Sequence, residues 1–501
     1  MDFIKQNRLL VSLLLFFILF IVLWPFYKYI FDVDGIGYAS VAHHYLNGDW
    51  DKAVNGFWYP LHSWLVIPLL KMGLSDGAAF KISNFLISIA SLITLHKLLY
   101  KTDLSELLKT CIQLISIVLL LHYSYNELAG DILFMFIMLL LINLQQTADF
   151  YTNTHKNLLA GLLGACLYLS KSYGFPLFVI FYLTTHILFS PNKKLSKYMV
   201  TGLLPFFILS FIWMTAIHWK YNTWFIDFAK YQAHLADRSS YSGTIIQPPP
   251  YNTSAAVWED PWLVNSYQLP QKSLWLWIIQ EVRVVIFNIQ KLFFKLCDLS
   301  FLAPAILFAL GTSLFLKNQQ QRKYWFFLIV TIPLGYLLLH VETRFIWILS
   351  FIFLIAGSSF LQQWFQHNIL TKKQQLFLWC LFFMSFLLGP IDNLKDDFNR
   401  HREFYKMTEY IKKNKLSGNF TSNTKSDENM VIAYLSGLRY FKISGNPTAD
   451  QLLAKFNEFQ MKYYFFYSNN TFEKELFMNG PVAKAARNSF VVNQELIVFE
   501  F

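Results

Sequence analysis

The sequence has little charge for its length: Asp, Glu, Lys and Arg make up 15% of its 501 residues, whereas 55% are hydrophobic. Soluble globular domains carry about 25% charged residues, so this composition excludes a soluble protein of ordinary design. Several apolar runs reach the ~18–20 residues that a helix needs to cross a bilayer. These runs are continuously apolar rather than alternating, which argues against a transmembrane β-barrel. We therefore expect an all-α polytopic membrane protein.

Cysteine is also scarce. The four cysteines lie in or beside apolar segments and show no paired spacing: Cys111, Cys166, Cys297 and Cys380. Neither a disulfide framework nor a zinc site is indicated by this pattern. The first apolar run lacks a small-residue cleavage site, so we interpret it as a retained helix and not as a signal peptide.

The net charge of +11 does not indicate a nucleic-acid partner, because much of the Lys and Arg lies in short links between apolar runs. Basic residues in such links fix topology and meet anionic lipid. Lys5 and Arg8 predict a cytoplasmic N-terminus. Alternating from there, the basic links all fall on the cytoplasmic side: Lys97/Lys101, Lys193/Lys194/Lys197, Lys317/Arg322/Lys323 and Lys372/Lys373.

About eleven transmembrane helices are predicted, at residues 9–27, 78–100, 107–123, 132–146, 158–170, 175–189, 198–218, 299–316, 324–339, 345–360 and 376–388. Two external loops interrupt them, 28–76 and 219–297. Each loop is expected to carry an interfacial helix, at 37–47 and at 274–296. Residues 1–390 are thus predicted to form the transmembrane domain.

From about residue 391 the composition turns polar. The runs MVIAYL, YYFFYS and SFVV…LIVFEF have the character of strands, and residues 398–413 and 448–459 that of helices. We expect residues 391–501 to form a small α/β domain on the outer face of the membrane.

The loop after the first span is rich in acidic side chains. Asp32 and Asp34 follow that span directly; an Asp-x-Asp pair could bind a divalent cation, and one of its carboxylates could act as a general base. The alternative is a solvated loop with acids at the membrane boundary. His43, His44 and His62 are candidate ligands or bases, although histidines in interfacial loops are usually neither.

Further charged side chains lie at the ends of later apolar runs. Asp131 opens the fourth span, where it could be functional or could simply cap the helix. Lys171 could hold a phosphate or could extend toward water from an apolar segment. Arg344 could grip a phosphate with two N–H groups or could pair with Glu342. In the predicted topology, all of these residues lie at the outer face of the membrane.

These motifs resemble the GT-C class of integral membrane glycosyltransferases, in the branch of the protein O-mannosyltransferases and the lipid A aminoarabinose transferase. The resemblance covers about the first 390 residues. Its motifs are Asp34-Gly-Ile-Gly-Tyr38, Asn47-Gly48-Asp49-Trp50, Asp131, Leu169-Ser170-Lys171 and Glu342-Thr343-Arg344-Phe345. Gly35 stands where the named enzymes carry Glu, so their substrates are not carried over.

The resemblance implies an inverting transfer of a sugar from a polyprenyl-phosphate donor to an acceptor hydroxyl of a glycan, lipid or protein. Asp34 would be the general base and Asp131 would position the acceptor or a metal. Lys171 and Arg344 would hold the leaving phosphate. The other expected substrate-binding residues are Glu342, Tyr38, Trp58, Tyr59 and His62, and a divalent ion is an expected cofactor, held by Asp32 and Asp34.

Two functions from other classes remain open. A lipid or glycan transporter would place ionisable residues near the bilayer midplane and would often show repeated broken helices. An O-antigen-type ligase or polymerase would share the donor but would use the long second loop for catalysis, so substitution of Arg238 would separate it from an enzyme that depends on Asp34.

Overall fold

The computed structural model describes residues 7–190, 197–222, 224, 246–247, 249, 251, 258–264, 274–313, 320–367, 370–443, 445, 447–492 and 494–501. Arg238 and most of the loop 219–272 lie outside these residues. The chain divides into two compact units. The first contains Met1–Lys28, Tyr59–Phe225 and Pro270–Phe398, and the second contains Tyr29–Trp58, Ile226–Leu269 and Asn399–Phe501. Residues 29–58, which the sequence assigned to the transmembrane domain, therefore belong to the same unit as the C-terminal segment; the boundary at residue 390 stays a prediction.

The first unit is helical. Numbered along the whole chain, its helices are α1 (Arg8–Tyr27), α4 (Pro60–Lys71), α5 (Asp76–Tyr100), α6 (Glu106–Asn126), α7 (Asp131–Gln145), α8 (Thr154–Ser170), α9 (Gly174–Phe189), α10 (Lys197–Tyr221), α12 (Leu274–Leu299), α13 (Ala303–Ser313), α14 (Gln320–Thr331), α15 (Leu334–Leu337), α16 (Ile348–His367) and α17 (Lys372–Asp396). Two short 3-10 helices, Phe150–Thr152 and Thr343–Ile346, join them.

Within the described residues, six helices are long and apolar enough to cross a membrane: α1, α5, α6, α10, α16 and α17. A seventh span is present if Glu281–Leu299 and Ala303–Thr312, which bend by 109° at a short break, are counted as one. Helices α7 and α9 are apolar but shorter. The prediction of a multi-pass helical membrane protein is confirmed, and the count of eleven spans stays a prediction.

The second unit combines helices with a sheet. Its helices are α2 (Val33–Asn47), α3 (Trp50–Ala53), α11 (Pro261–Val264), α18 (Arg402–Lys413), α19 (Ser426–Ser436), α20 (Ala449–Glu458), α21 (Thr471–Met478) and α22 (Pro481–Ala485). Its strands are β1 (Ile246–Gln247), β2 (Asn419–Ser422), β3 (Arg439–Tyr440), β4 (Lys442–Ile443), β5 (Met461–Tyr467), β6 (Asn488–Val491) and β7 (Leu496–Glu500).

The main sheet has the strand order β3-β2-β5-β7-β6. Strand β2 is parallel to β3 and β5, whereas β7 is antiparallel to β5 and β6. Strands β1 and β4 form a separate antiparallel pair. The predicted α/β character of the C-terminal segment is confirmed.

One predicted strand is wrong. MVIAYL lies inside α19, which ends at Ser436 and is followed by Gly437 with a φ of +85°. Met430, Val431, Ile432 and Ala433 are all buried, so the run is apolar on every side, and such a run does not by itself distinguish a buried strand from a buried helix. The acids of the first turn and the glycine after the last are the helix signals that the sequence does contain.

The start of α1 is tied to the start of α6. Arg8 is 2% exposed, and its Nη1 donates to Glu106 Oε2 at 3.0 Å. The guanidinium also lies 5.3 Å from the centroid of the Tyr100 ring. Lys109 donates to the other oxygen of the same carboxylate at 2.9 Å. Because a buried cation without a counter-charge is costly, these contacts fix the N-terminal end of α1 against α5 and α6.

Candidate active site

Two helix ends bring an acid and a base together in the first unit. Asp131 begins α7, and Lys171 directly follows α8. Lys171 Nζ donates to Asp131 Oδ1, and the two side chains are 17% and 2% exposed. Asp131 Oδ2 is buried and accepts no hydrogen bond from the described residues. The pair is therefore neutral overall, with one carboxylate oxygen left for another donor.

Neither of the simple alternatives for this pair is correct. The N-cap of α7 is Gly130, so Asp131 lies in the first turn of the helix and does not cap it. A carboxylate in that turn is still stabilised by the helix dipole. Lys171 does not extend to water, because its ammonium is engaged by Asp131 and lies 3.9 Å from the centroid of the Phe345 ring.

A second cluster of charges surrounds Arg344, in the 3-10 helix that precedes α16. Its Nε donates to Glu342 Oε2 at 2.7 Å, and its Nη1 donates to Glu127 Oε2 at 2.9 Å. The pairing of Arg344 with Glu342, the alternative to phosphate binding, is thus present, and Glu127, directly after α6, is a second partner. Since Phe345 lies under Lys171, the two clusters are contiguous.

The cluster continues to residues that the sequence did not single out. His340 Nε2 lies 3.0 Å from Glu342 Oε1, and Lys291 Nζ lies 3.2 Å from both ring nitrogens of His340. Lys291 belongs to α12, within the interfacial helix predicted at residues 274–296. His340 stands two residues before Glu342, and its position beside the Glu-x-Arg motif is the signal that could have identified it.

The environment of this cluster shifts two pKa values. Burial alone would raise the pKa of Glu342, but hydrogen bonds and positive charge from His340 and Arg344 hold it well below its usual range. Burial lowers the pKa of Lys171; Asp131 opposes this effect, and the charge of Arg344 adds to it. Glu342 is therefore ionised at neutral pH, and Lys171 keeps its charge chiefly through Asp131.

The acids of the first loop lie in the second unit. Asp32 occupies the N-cap position of α2, and Asp34 lies in its first turn. Trp258, from the long second loop, donates its indole N–H to Asp34 Oδ1 at 3.1 Å. Tyr38 follows one helical turn later, and its ring packs on that of Trp58 at 5.3 Å between centroids.

Contacts with the second loop hold this region in place. Trp58 Nε1 donates to the backbone oxygen of Trp258 at 2.8 Å, and Asn55 donates to that of Glu259 at 3.0 Å. The indole of Trp58 lies so close to Gly37 that a Cβ built there would be 2.2 Å from it. A glycine at residue 37 is therefore required for Trp58 to pack on α2. Trp258, which donates to Asp34 and accepts from Trp58, therefore orients the Asp34 carboxylate.

Asp32 and Asp34 fit a divalent cation in both chemistry and spacing. A carboxylate oxygen of one lies within 4.8 Å of a carboxylate oxygen of the other. Because Mg²⁺ and Ca²⁺ bind oxygen ligands at about 2.0–2.6 Å, two oxygens at this separation can share one ion. These two residues are the ones that would hold a metal in the second unit.

The structure buries the other predicted binding residues. Tyr38, Trp58, Tyr59 and His62 are between 0% and 4% exposed. Tyr59 packs against Tyr168, and His62 lies edge-on to Phe80. Burial lowers the pKa of His62 to about 4, against a hydrogen bond with Asn84 that raises it. His62 is thus neutral at pH 7, and the burial of these four side chains favours packing over substrate contact.

The predicted site residues therefore form two groups. Asp131, Lys171, Glu342 and Arg344 come together in the first unit, whereas Asp32, Asp34, Tyr38 and Trp58 come together in the second.

Comparison with known proteins gives matches among solved structures. No family model matches the chain, and no curated protein matches it. ArnT from Cupriavidus metallidurans, solved with undecaprenyl phosphate, is 10% identical with a TM-score of 0.54, over 97% of each chain. The Archaeoglobus fulgidus oligosaccharyltransferase with a tethered acceptor peptide is 9% identical with a TM-score of 0.54, over 93% of this chain and 70% of that one. Its complex with Zn and sulfate is 10% identical with a TM-score of 0.54, over 92% and 67%. Both proteins are GT-C glycosyltransferases, and this chain has the GT-C fold.

Proposed function

We propose that the protein is a membrane glycosyltransferase. It moves a sugar from a polyprenyl-phosphate donor to an acceptor hydroxyl at the outer face of the membrane, with inversion at the anomeric carbon. The observation that carries this proposal is the partly buried charged cluster of Asp131, Lys171, Glu342 and Arg344. The cluster stands at the ends of helices in a chain with the GT-C fold. An enzyme that acts on a donor anchored in the bilayer needs its charged groups at such ends, close to the interface.

Lys171 and Arg344 are the groups proposed to hold the leaving lipid phosphate. An ammonium has three N–H donors, of which Lys171 uses one for Asp131. Arginine presents its donors in a fixed fork that matches phosphate oxygens, and Glu342 and Glu127 orient that fork. Cations held where negative charge develops on the leaving group stabilise the transition state. ArnT was solved with undecaprenyl phosphate, which supports a lipid phosphate as the ligand.

Asp34 is the proposed general base. Its carboxylate takes the proton of the acceptor hydroxyl while the hydroxyl oxygen attacks the anomeric carbon. The bond from that carbon to the phosphate oxygen breaks, and its electron pair leaves with the lipid phosphate. The indole N–H of Trp258 orients Asp34 for this step. Asp131 positions Lys171 and offers Oδ2 as a further acceptor.

Asp32 and Asp34 are the residues proposed to hold a divalent ion, which would supply Lewis acidity. The oxygen spacing of these carboxylates and the zinc complex of the oligosaccharyltransferase support this part of the proposal.

The remaining parts of the proposal concern location and partners. The protein is proposed to lie in the cell (inner) membrane, with its N-terminus in the cytoplasm and its C-terminal segment 391–501 on the extracytoplasmic side. The partners are the lipid bilayer, the lipid-linked sugar and an acceptor that is a glycan, a lipid or a protein. The oligosaccharyltransferase was solved with an acceptor peptide, which supports a protein as one class of acceptor. Nucleic acid is not among the proposed partners.

The test is a transfer assay with purified protein and a panel of polyprenyl-phosphate sugars, with and without EDTA. Asp34→Asn should abolish transfer while the amount of membrane protein stays unchanged, because an amide cannot accept the proton. Asp51→Asn is the matched control, since Asp51 is an exposed aspartate of the same loop. Transfer retained by Asp34→Asn would contradict the proposal, and so would a loss shared equally by Asp51→Asn.

A further inference from the structure

An apolar groove of about 940 Å³ lies between α6, α16 and α17 in the first unit. Each helix contributes one stripe of side chains at helical spacing. On α17 the stripe is Leu376, Trp379 and Phe383, and on α6 it includes Leu108 and Cys111. All three helices are long and apolar enough to span a membrane. The groove is thus a lengthwise cleft between membrane spans and shares no residue with the charged cluster.

The groove is polar at one end and apolar at the other. Its polar end is formed where α16 ends and α6 and α17 begin. There, Gln362 donates to the backbone oxygen of Asp103 at 3.0 Å and accepts from the backbone N–H of Ser105 at 2.9 Å. These bonds fix the mouth of the groove. A rigid mouth over an apolar cleft matches a ligand with a polar head and a hydrocarbon tail.

The charge at the mouth selects the kind of head group. Lys372 and Lys373 occupy the first turn of α17, both are exposed, and no acidic residue lies in that turn. Lys372 stands one helical turn before Leu376, which lines the groove. The first turn of a helix disfavours cations. An anion beside these two lysines would therefore offset both their unfavourable interaction with the helix dipole and their repulsion of each other. Asp103, which also lines the groove, carries one negative charge, and Glu106 is already engaged by Arg8 and Lys109.

We propose that this groove binds an anionic phospholipid, with an acyl chain in the cleft and the phosphate against Lys372 and Lys373. On the predicted topology the lipid belongs to the cytoplasmic leaflet, where anionic lipids meet basic links. The proposal does not depend on the transfer reaction.

The test is native mass spectrometry of the full-length protein, titrated with phosphatidylglycerol or with phosphatidylcholine of identical acyl chains. Wild type should prefer phosphatidylglycerol. Lys372→Gln/Lys373→Gln should weaken phosphatidylglycerol binding about thirtyfold and leave phosphatidylcholine binding unchanged. The control is Lys412→Gln/Lys413→Gln, which removes two adjacent exposed lysines from α18 and should change neither.

A second variant tests the tail site. Cys380 lines the groove and is exposed, so Cys380→Trp fills the cleft without displacing the core and should weaken both lipids. Equal binding of the two lipids by wild type would overturn the proposal. So would a loss of phosphatidylglycerol binding in Lys412→Gln/Lys413→Gln as large as that in Lys372→Gln/Lys373→Gln. Displacement of phosphatidylglycerol by undecaprenyl phosphate, one for one, would assign the groove to a polyprenyl chain and would also overturn it.

Discussion

The pair formed by Lys171 and Asp131 shows what single residues contribute to the site. Both side chains lie in protein, and each supplies the counter-charge of the other. The sequence identified both residues from their positions at the ends of apolar runs. It could not show that they meet, because they are forty positions apart and helices α7 and α8 lie between them. A single substitution of either residue could therefore abolish activity by removing a group that the reaction needs or by destabilising the fold, and the activity alone does not distinguish the two causes.

A double substitution resolves this ambiguity. Asp131→Asn should lower the free energy of unfolding by about 3–5 kcal/mol, because it leaves the Lys171 ammonium buried without a counter-charge. Asp131→Asn/Lys171→Met should recover most of that loss, since no charge remains, and should still lack transfer. Thermal unfolding in detergent and the transfer assay measure the two effects separately. Activity in the stable double variant would mean that the pair is structural.

His340 should act on the acid stability of the cluster through Glu342. The pKa of Glu342 is held below its usual value near 4.5, so its contribution to stability is present above that pH and is lost as the pH falls below it. His340→Gln removes one of the groups that lower this pKa, so the total loss should be smaller than in wild type and should be complete at a higher pH.

The measurement is the unfolding temperature as a function of pH between neutral and acidic conditions. His367→Gln, a change at an exposed histidine, should leave the curve of wild type unchanged. Superimposable curves for His340→Gln and wild type would show that His340 does not set the ionisation of Glu342.

At the scale of elements, the long apolar helices α1, α5, α6 and α10 follow from the sequence nearly residue by residue, because continuous apolar runs with basic flanks have one interpretation. The strands β5, β6 and β7 also follow. Three predictions differ from the structure. Burial on all sides hides the helical period of MVIAYL, the helix predicted at 376–388 extends over Lys372–Asp396, and the helix predicted at 324–339 is divided into α14 and α15. Polar ends of a helix carry no hydropathy signal, so only the apolar middle was predicted.

Helices α8 and α10 cross at two glycines, and this contact should be sensitive to a single methyl group. A Cβ at Gly161 would lie 1.9 Å from the carbonyl oxygen of Gly202 and 2.8 Å from Pro205. Gly161→Ala should therefore destabilise the protein by about 1–3 kcal/mol, measured as thermal unfolding. Gly311→Ala on α13 is the control. A Cβ there meets the tip of the Phe326 ring at 3.3 Å, and alanine is the better helix former, so stability should be unchanged or slightly higher.

At the scale of the whole molecule, the fold class and the GT-C resemblance follow from the sequence, because the lengths of the apolar runs and the order of the acidic and basic motifs can be read along the chain. The solved structures that share the fold are only 9–10% identical. The division into two units does not follow. Residues 29–58 join the C-terminal segment through contacts that span more than 300 residues of chain. The backbone N–H of Phe31 donates to His401 Nδ1 at 3.2 Å, and the Phe31 ring stacks on that of Tyr434. Hydropathy reports where a chain meets lipid and says nothing of such pairings.

The parity of the spans gives a test at this scale. An odd number, whether seven or eleven, leaves the two termini on opposite sides of the membrane, whereas six leaves them on the same side. We expect a C-terminal alkaline phosphatase fusion to be active and a C-terminal GFP fusion to be dark in a bacterial host, with the opposite result for fusions after Lys372 and Lys373. An active phosphatase after those lysines would reverse the predicted orientation.

The ion pair between Arg8 and Glu106 has a consequence for how the protein is made. The two residues are 98 positions apart, so Arg8 has no partner while the first helix is being inserted. During that time the orientation of α1 depends on its basic flank alone. Once residue 106 has been synthesised, the same arginine is drawn into protein, and its burial makes any later inversion of α1 costly. The same positive charge thus orients α1 early in synthesis and stabilises that orientation in the folded protein.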